Sequence, residues 1–164
     1  MSAYIEMLTP MVDKRCLLLA LADVGFGSDK VQAHETALRL TGYEGGARAQ
    51  TAEIVIGRQH LSGASNDLGF TRSATGYKLV VSDFDRRAFG APWLTQLVGR
   101  YNHHVRVMEE RAAEEERRRM EEQRRELVEA QRQAIFERAK KLGYQVTEKR
   151  EADKVRLVLV KRVY

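Results

Sequence analysis

The chain has 164 residues, 43% of them hydrophobic and 31% charged, which suits one domain with a buried core. A single cysteine excludes an intramolecular disulfide framework, and no apolar run approaches the roughly 20 residues that a transmembrane helix needs. The net charge of +5 is uneven, because residues 137–164 carry nine basic and four acidic groups. The opening residues also lack a signal-peptide pattern, so we expect a soluble, cytoplasmic protein without a membrane partner.

The N-terminal part of the sequence predicts a strand followed by a helix. Residues 3–9 (AYIEMLT) have the composition of a short strand. Asp13 is suited to cap a helix that runs through Val24, and Gly25 can supply the left-handed residue that ends it. Cys16 lies among leucines, where a buried thiol that behaves as a small hydrophobic group is the expectation.

Three runs rich in β-branched and aromatic residues come next, separated by clusters of Gly, Ser and Asn. They are residues 34–43 (HETALRLTGY), 51–57 (TAEIVIG) and 76–84 (GYKLVVSDF). Alternation in the second run places Ala52, Ile54 and Ile56 on one face and Val55 on the other. The pattern predicts an antiparallel meander.

A long helix is predicted from Pro92 to the stop signal at Gly143. Both of its ends carry apolar stripes, whereas Glu109 to Glu126 holds eight glutamates and six arginines in eighteen residues. Many of these glutamates stand three or four positions before an arginine, which favours a solvated helix of about 27 Å. A helical hairpin in this stretch is the alternative, but the segment lacks turn residues.

The C-terminal residues predict two strands around a polar turn. Val155, Leu157 and Leu159 alternate with Val158 and Val160, which indicates a strand buried on both faces at the centre of the sheet. The predicted fold is therefore α+β. It has an antiparallel sheet, a short N-terminal helix, and one long charged helix that protrudes between the fifth strand region and a C-terminal β-hairpin. We expect one domain over residues 1–164, with a charged arm at residues 109–134 inserted in it.

No catalytic or cofactor motif is present, and each candidate for chemistry has a structural alternative. His103 and His104 point about 100° apart on a helix, which does not suit a shared metal ion. Asp83 and Asp85 could bind a divalent cation, but a turn with local salt bridges is the commoner arrangement. The Gly-rich runs lack the strand-to-helix context of a phosphate loop. We therefore predict no catalytic residue, no metal ligand and no cofactor.

Three segments resemble one family: DLGFTRSATGYKLVVSDFD, GRYNHHVRV and KKLGYQVTEKREADKVRLVLVKR. They are similar to the hypothetical chloroplast reading-frame thirty-five family of cyanobacteria, red-algal plastids and other bacteria, a domain of unknown function. The likeness does not extend over residues 109–133, so the charged stretch resembles an insertion within a helix. The resemblance implies an accessory role, and an AAA-type ATPase is the partner it suggests.

Three classes of function follow, in this order. The first is a non-catalytic interaction or accessory protein that presents the charged arm to a protein partner or to another copy of itself. Candidate partner-binding residues are Glu115, Arg118, Glu122 and Arg125. The second is weak, non-specific nucleic-acid binding through the basic C-terminal region, by Lys140, Lys141, Lys149, Arg150, Lys154, Arg156, Lys161 and Arg162. A metal-dependent enzyme is the third.

Overall fold

The computed structural model describes residues 3–151 and 154–161, and it divides into two compact units, Met1–Glu109 and Glu110–Tyr164. The first unit contains a five-stranded antiparallel sheet with helices, and the second contains helix and a two-stranded sheet. The predicted α+β class is confirmed. Single-domain organisation with an inserted arm stays a prediction. Within the described ranges, no helix is both long and apolar enough to cross a membrane.

The five-stranded sheet has the order β1-β5-β4-β3-β2, with every neighbouring pair antiparallel. The strands are β1 (Tyr4–Leu8), β2 (Val31–Thr41), β3 (Ala47–Ile56), β4 (Leu68–Ser73) and β5 (Gly76–Ser82). The predicted meander is confirmed as β2 to β5, and β1 adds to its far edge beside β5. No strand was predicted at β4, where Gly69 interrupts a short apolar run.

Helix α1 (Lys14–Asp23) begins and ends as predicted. The Asp13 side chain accepts a hydrogen bond from the backbone N–H of Cys16 at 2.7 Å, which satisfies a free donor of the first turn. Gly25 has a φ of 96°, a left-handed conformation that glycine adopts without strain. Cys16 is buried as expected, and burial raises the pKa of its thiol.

The main core lies between one face of the sheet and the helices. Its fully buried side chains include Leu17 and Leu21 of α1, Phe70 of β4 and Leu79 of β5. Each fully buried large apolar side chain contributes about 1.5–3 kcal/mol relative to exposure.

A second, smaller cluster contains Leu40, Ala52, Val55 and Val80, with Tyr4 packed against it. Ala52 was predicted to share a face with Ile54, and this prediction is wrong, because Ala52 packs with Val55 instead. The β2–β3 register shifts between Ala33 and Leu38, and an irregularity of this kind breaks the two-residue alternation.

A short helix, α2 (Arg86–Phe89), precedes the long helix α3 (Ala91–Lys141), which is continuous over 51 residues. The alternative of a helical hairpin is therefore wrong. In the first unit, Leu97 is fully buried, and the Tyr101 hydroxyl accepts hydrogen bonds from the backbone N–H groups of Val12 and Asp13. The N-terminal part of α3 thus belongs to the core of that unit.

In the second unit, the hairpin of β6 (Tyr144–Glu151) and β7 (Lys154–Lys161) forms a separate two-stranded sheet. The prediction of a central β7 buried on both faces is wrong. Val155 and Leu159 are 54% and 52% exposed, and β7 pairs only with β6 among the described strands. The apolar run resembled a buried strand because composition does not report how many neighbours a strand has.

Candidate functional site

The four predicted partner-binding residues lie together on one side of α3. Glu115, Arg118, Glu122 and Arg125 follow each other at intervals of three and four residues, and all four are exposed. Glu115 already pairs with Arg119 at 2.6 Å, and Arg125 pairs with Glu121 at the same distance. These pairs confirm the expected intrahelical pairing of glutamate with the arginine four residues on.

The predicted nucleic-acid residues do not form one surface. Lys140 and Lys141 are exposed in the last turn of α3. In the hairpin, Lys149 lies opposite Arg156, whereas Lys161 lies opposite Tyr144 and therefore on the other face. The backbones of Arg150 and Lys154 belong to β6 and β7, and Arg162 lies outside the described residues. The hairpin thus divides these cations between its two faces.

The adjacent histidines have different roles. His104 Nε2 lies 2.8 Å from Asp23 Oδ2, so this ring joins α3 to α1 within the first unit. The His103 ring packs edge-on against it. Across residues 3–151 and 154–161, no group of three or more His, Cys, Asp or Glu side chains is arranged to hold a metal ion.

Asp83 and Asp85 occupy different environments, because Asp83 is exposed and Asp85 is buried. The Asp85 carboxylate accepts hydrogen bonds from the Ser65 and Asn66 backbone N–H groups, the Asn66 side chain and the Ser82 hydroxyl. The expected turn is present, but neutral donors take the place of the expected salt bridges. Asp85 therefore fixes the loop before β4 to the end of β5.

Asp67 organises the neighbouring part of the same polar cluster. Its two carboxylate oxygens accept from the backbone N–H groups of Thr41 and Arg58, at 2.8 and 2.9 Å. The Tyr4 hydroxyl donates to the backbone carbonyl of Asp67 at 3.1 Å. Burial raises the pKa of Tyr4 to about 12, and the negative charge of the nearby Asp67 carboxylate is the second cause of this rise. This cluster holds β1, β2 and the loop after β3 in fixed positions.

A cleft of about 1100 Å³ opens beside this cluster. The β2–β3 turn, the loop after β3 and Phe84 form its walls, and Arg48 and Arg58 lie in its lining. The Gly-rich run at residues 42–50 (GYEGGARAQ) was not predicted to form a site, so neither Arg48 nor Arg58 was a candidate. They are ten residues apart in sequence, and contacts with the β2–β3 turn bring them together, because Arg58 donates to the Gly42 and Tyr43 carbonyls and Arg48 packs over Gly42.

One comparison with known proteins gave a match. A family described as "Protein of unknown function (DUF1257)" matches residues 20–128. The matched range includes Glu109 to Glu126, ends within the predicted arm of residues 109–134, and does not reach the C-terminal hairpin. The curated proteins and the solved structures gave no match.

Proposed function

The chain belongs to the DUF1257 family of proteins of unknown function, and for this member we propose a non-catalytic interaction role in which helix α3 binds a protein partner. One observation supports this most strongly. Every residue from Met108 to Gln131 is exposed, so a stretch of 24 residues in a continuous helix contributes almost nothing to a buried core. A long helical surface of this kind is available for binding.

Local interactions are sufficient to maintain this exposed helix. Exposed ion pairs four residues apart contribute about 0.3–0.5 kcal/mol each, and glutamate, arginine and alanine all favour helix. Glu115–Arg119 and Glu121–Arg125 are two such pairs. Helix formation here therefore does not require tertiary packing.

One face of the helix has a regular alternation of charge. The series extends the predicted partner-binding residues by one at each end, and its members are Arg111, Glu115, Arg118, Glu122, Arg125 and Glu129. The intervals of four and three residues are those of a coiled-coil seam. We call these six residues the alternating face.

The alternating face complements itself when a second copy runs antiparallel and the crossing point is at Met120. Glu115 then lies opposite Arg125 of the second copy, Arg118 opposite Glu122, and Arg111 opposite Glu129. Each exposed pair contributes only about 0.2–1 kcal/mol, while association costs at least about 4 kcal/mol. Self-association by this face is therefore weak and salt-sensitive. A partner helix that adds apolar contacts, such as one on an AAA-type ATPase, would bind more tightly.

Sedimentation measurements on charge variants test this role. We expect concentration-dependent dimerisation at low salt that weakens at high salt, because exposed ion pairs are screened. Glu122→Arg should abolish it, since two positions then place arginine opposite arginine. The double variant Arg118→Glu/Glu122→Arg is the matched control and should restore it. A dimer that is unaffected by the single variant, or not restored by the double variant, would contradict antiparallel pairing.

Capture of partners from native lysate, with and without nuclease, tests the wider interaction role. Wild-type protein should retain a protein partner after nuclease treatment, whereas Glu122→Arg should lose it. Recovery of nucleic acid alone would favour the second candidate, weak and non-specific binding by the basic C-terminal residues. The cross-strand pair of Lys149 and Arg156 is the observation that supports that alternative. Such binding should decrease steeply with salt.

The relation of the charged stretch to the rest of the family is also a proposal. We propose that DUF1257 corresponds to the chloroplast reading-frame family that the sequence resembles, and that the charged stretch, although it falls within the matched range, is an insertion relative to shorter members of that family. The change from mixed to uniform exposure after Met108 supports the insertion.

A further inference from the structure

The cleft beside the polar cluster is lined by two arginines, Arg48 and Arg58, that form no ion pair among the described residues. Arg58 donates from Nη1 to the carbonyl oxygens of Gly42 (2.8 Å) and Tyr43, so its guanidinium is held against the β2–β3 turn. Carbonyl groups carry no net charge, and among the described residues Arg58 forms no ion pair. A fixed positive charge therefore remains in the lining.

Arg48 also lines the cleft, and its guanidinium is less fully hydrogen-bonded than that of Arg58. Its Nε is buried and has no hydrogen-bond partner among the described residues. The guanidinium packs directly over the Cα of Gly42, and a Cβ at that position would overlap it. A buried donor without an acceptor destabilises the folded chain, and more so when the group is charged, so an acceptor that binds here would remove this destabilisation.

The two buried carboxylates of the polar cluster, Asp67 and Asp85, accept hydrogen bonds from neutral donors. The oxygens of Asp67 accept from two backbone N–H groups, and those of Asp85 accept from backbone, amide and hydroxyl donors. Ser65 also lines the cleft, and its hydroxyl oxygen accepts from the Asn66 side chain at 2.8 Å. The Ser65 hydroxyl proton therefore remains available to a ligand.

Two aromatic side chains in the lining are exposed, Tyr43 by 69% and Phe84 by 66%. Exposed aromatic rings beside arginines provide flat surfaces on which a planar ring can stack. Glu44 lines the cleft as well, and its carboxylate repels an anion but accepts hydrogen bonds from sugar hydroxyls. The cleft thus combines cations, flat rings and one acceptor.

From these groups we propose that the cleft binds a nucleoside monophosphate, with the phosphate on Arg48, Arg58 and Ser65 and the base against Tyr43 or Phe84. Arginine presents several N–H donors in a planar fork that matches phosphate oxygens. A phosphate offers enough oxygens to accept from both arginines and the serine together. This binding site is separate from the alternating face of α3 and does not depend on its role.

Titration calorimetry with AMP, GMP, CMP and UMP on the full chain tests the proposal. We expect saturable binding of at least one nucleotide, and at least about a tenfold loss of affinity in Arg48→Gln, because charged hydrogen bonds are removed. Gly42→Ala keeps both arginines but displaces the Arg48 guanidinium, and it should weaken binding as well. Arg100→Gln, at an exposed position of α3, is the matched control and should bind as wild type.

Inorganic phosphate and adenosine separate the two halves of the ligand, and each should bind more weakly than AMP. Equal affinity for phosphate would overturn the role of the aromatic rings, and equal affinity for adenosine would overturn the role of the arginines. Absence of saturable binding for all four nucleotides at millimolar concentration would overturn the site itself. So would unchanged affinity in both Arg48→Gln and Gly42→Ala, with folding of each checked by circular dichroism.

Discussion

At the scale of single residues, Asp85 and Tyr4 decide how the polar cluster is built. Asp85 satisfies four donors from three different residues, and Tyr4 connects β1 to the backbone of Asp67. The Tyr4 side chain packs against the smaller apolar cluster, and Asp85 lies in the turn after β5. The cluster therefore stabilises the loops around the cleft by hydrogen bonds where apolar contacts are few.

Replacing Asp85 should destabilise the first unit strongly. Asp85→Ala leaves buried donors of Ser65, Asn66 and Ser82 without their acceptor, so we expect a loss of about 3 kcal/mol in the free energy of unfolding. Asp83→Ala, at the exposed neighbouring position, should change it by less than about 0.5 kcal/mol. Urea denaturation of both variants checks this. Equal effects would mean that the network around Asp85 contributes little.

The raised pKa of Tyr4 makes stability depend on alkaline pH. The ordinary phenol value is 10.0, and burial raises it to about 12 in the folded chain. Between these values the unfolded chain has lost the proton and the folded chain retains it, so stability should fall as pH rises from about 10 to 12. Below pH 10 this contribution is constant.

Tyr4→Phe should reduce this alkaline loss, although it should cost about 0.5–1.5 kcal/mol at neutral pH through the missing hydrogen bond. Urea denaturation at several pH values measures both effects, and Tyr43→Phe at an exposed position is the control. A Tyr4→Phe variant with the same alkaline loss as wild type would assign the pH dependence to another group.

At the scale of elements, helix α3 contains two segments that are stabilised by different interactions. Its first part places Leu97 in the core, and its middle places Met120 in solvent with 63% of its surface exposed. The same regular backbone therefore carries one segment stabilised by burial and another stabilised by propensity and ion pairs. Substitutions should therefore reduce stability strongly in the buried segment of α3 and only slightly in the exposed one.

Two alanine variants measure this division. Leu97→Ala should cost about 2–5 kcal/mol, because it removes buried methyl groups and leaves a cavity. Met120→Ala should change stability by less than about 0.5 kcal/mol, since it removes a side chain that is mostly in water. Thermal and urea unfolding provide the comparison. A large cost at Met120 would indicate that its side chain is buried in solution.

At the scale of the whole molecule, the charged stretch should be dispensable for folding. Deleting Glu109 to Glu126 removes eighteen residues, which is five complete helical turns, so the flanking segments keep their rotational phase. We expect a cooperative transition by calorimetry with a midpoint within a few degrees of wild type, together with loss of self-association. An unfolded or aggregated product would mean that the stretch packs against another part of the chain.

Local signals predicted much of this fold, and pairing between distant segments accounts for what they missed. Asp13, Gly25 and Gly143 were found because capping and stop signals act within a few residues. The predicted face of Ala52 was wrong because a register shift depends on the partner strand. The predicted central position of β7 was wrong because tertiary contacts determine which strands lie beside it. Arg48 and Arg58 could not be grouped for the same reason.

The pairing of β1 with β5 has a consequence for the order of folding. Tyr4 lies opposite Ser82, whereas β2 and β3 are joined by a short turn, and so are β4 and β5. Closing a long loop costs free energy that grows only slowly with its length, but it delays contact formation. We therefore expect the meander to form first and β1 to join late, so that the Tyr4–Asp67 bond and the cleft beside it are completed in the last step. Pulsed hydrogen exchange should show amides of β4 and β5 protected before those of β1, and simultaneous protection would indicate that the sheet forms as one unit.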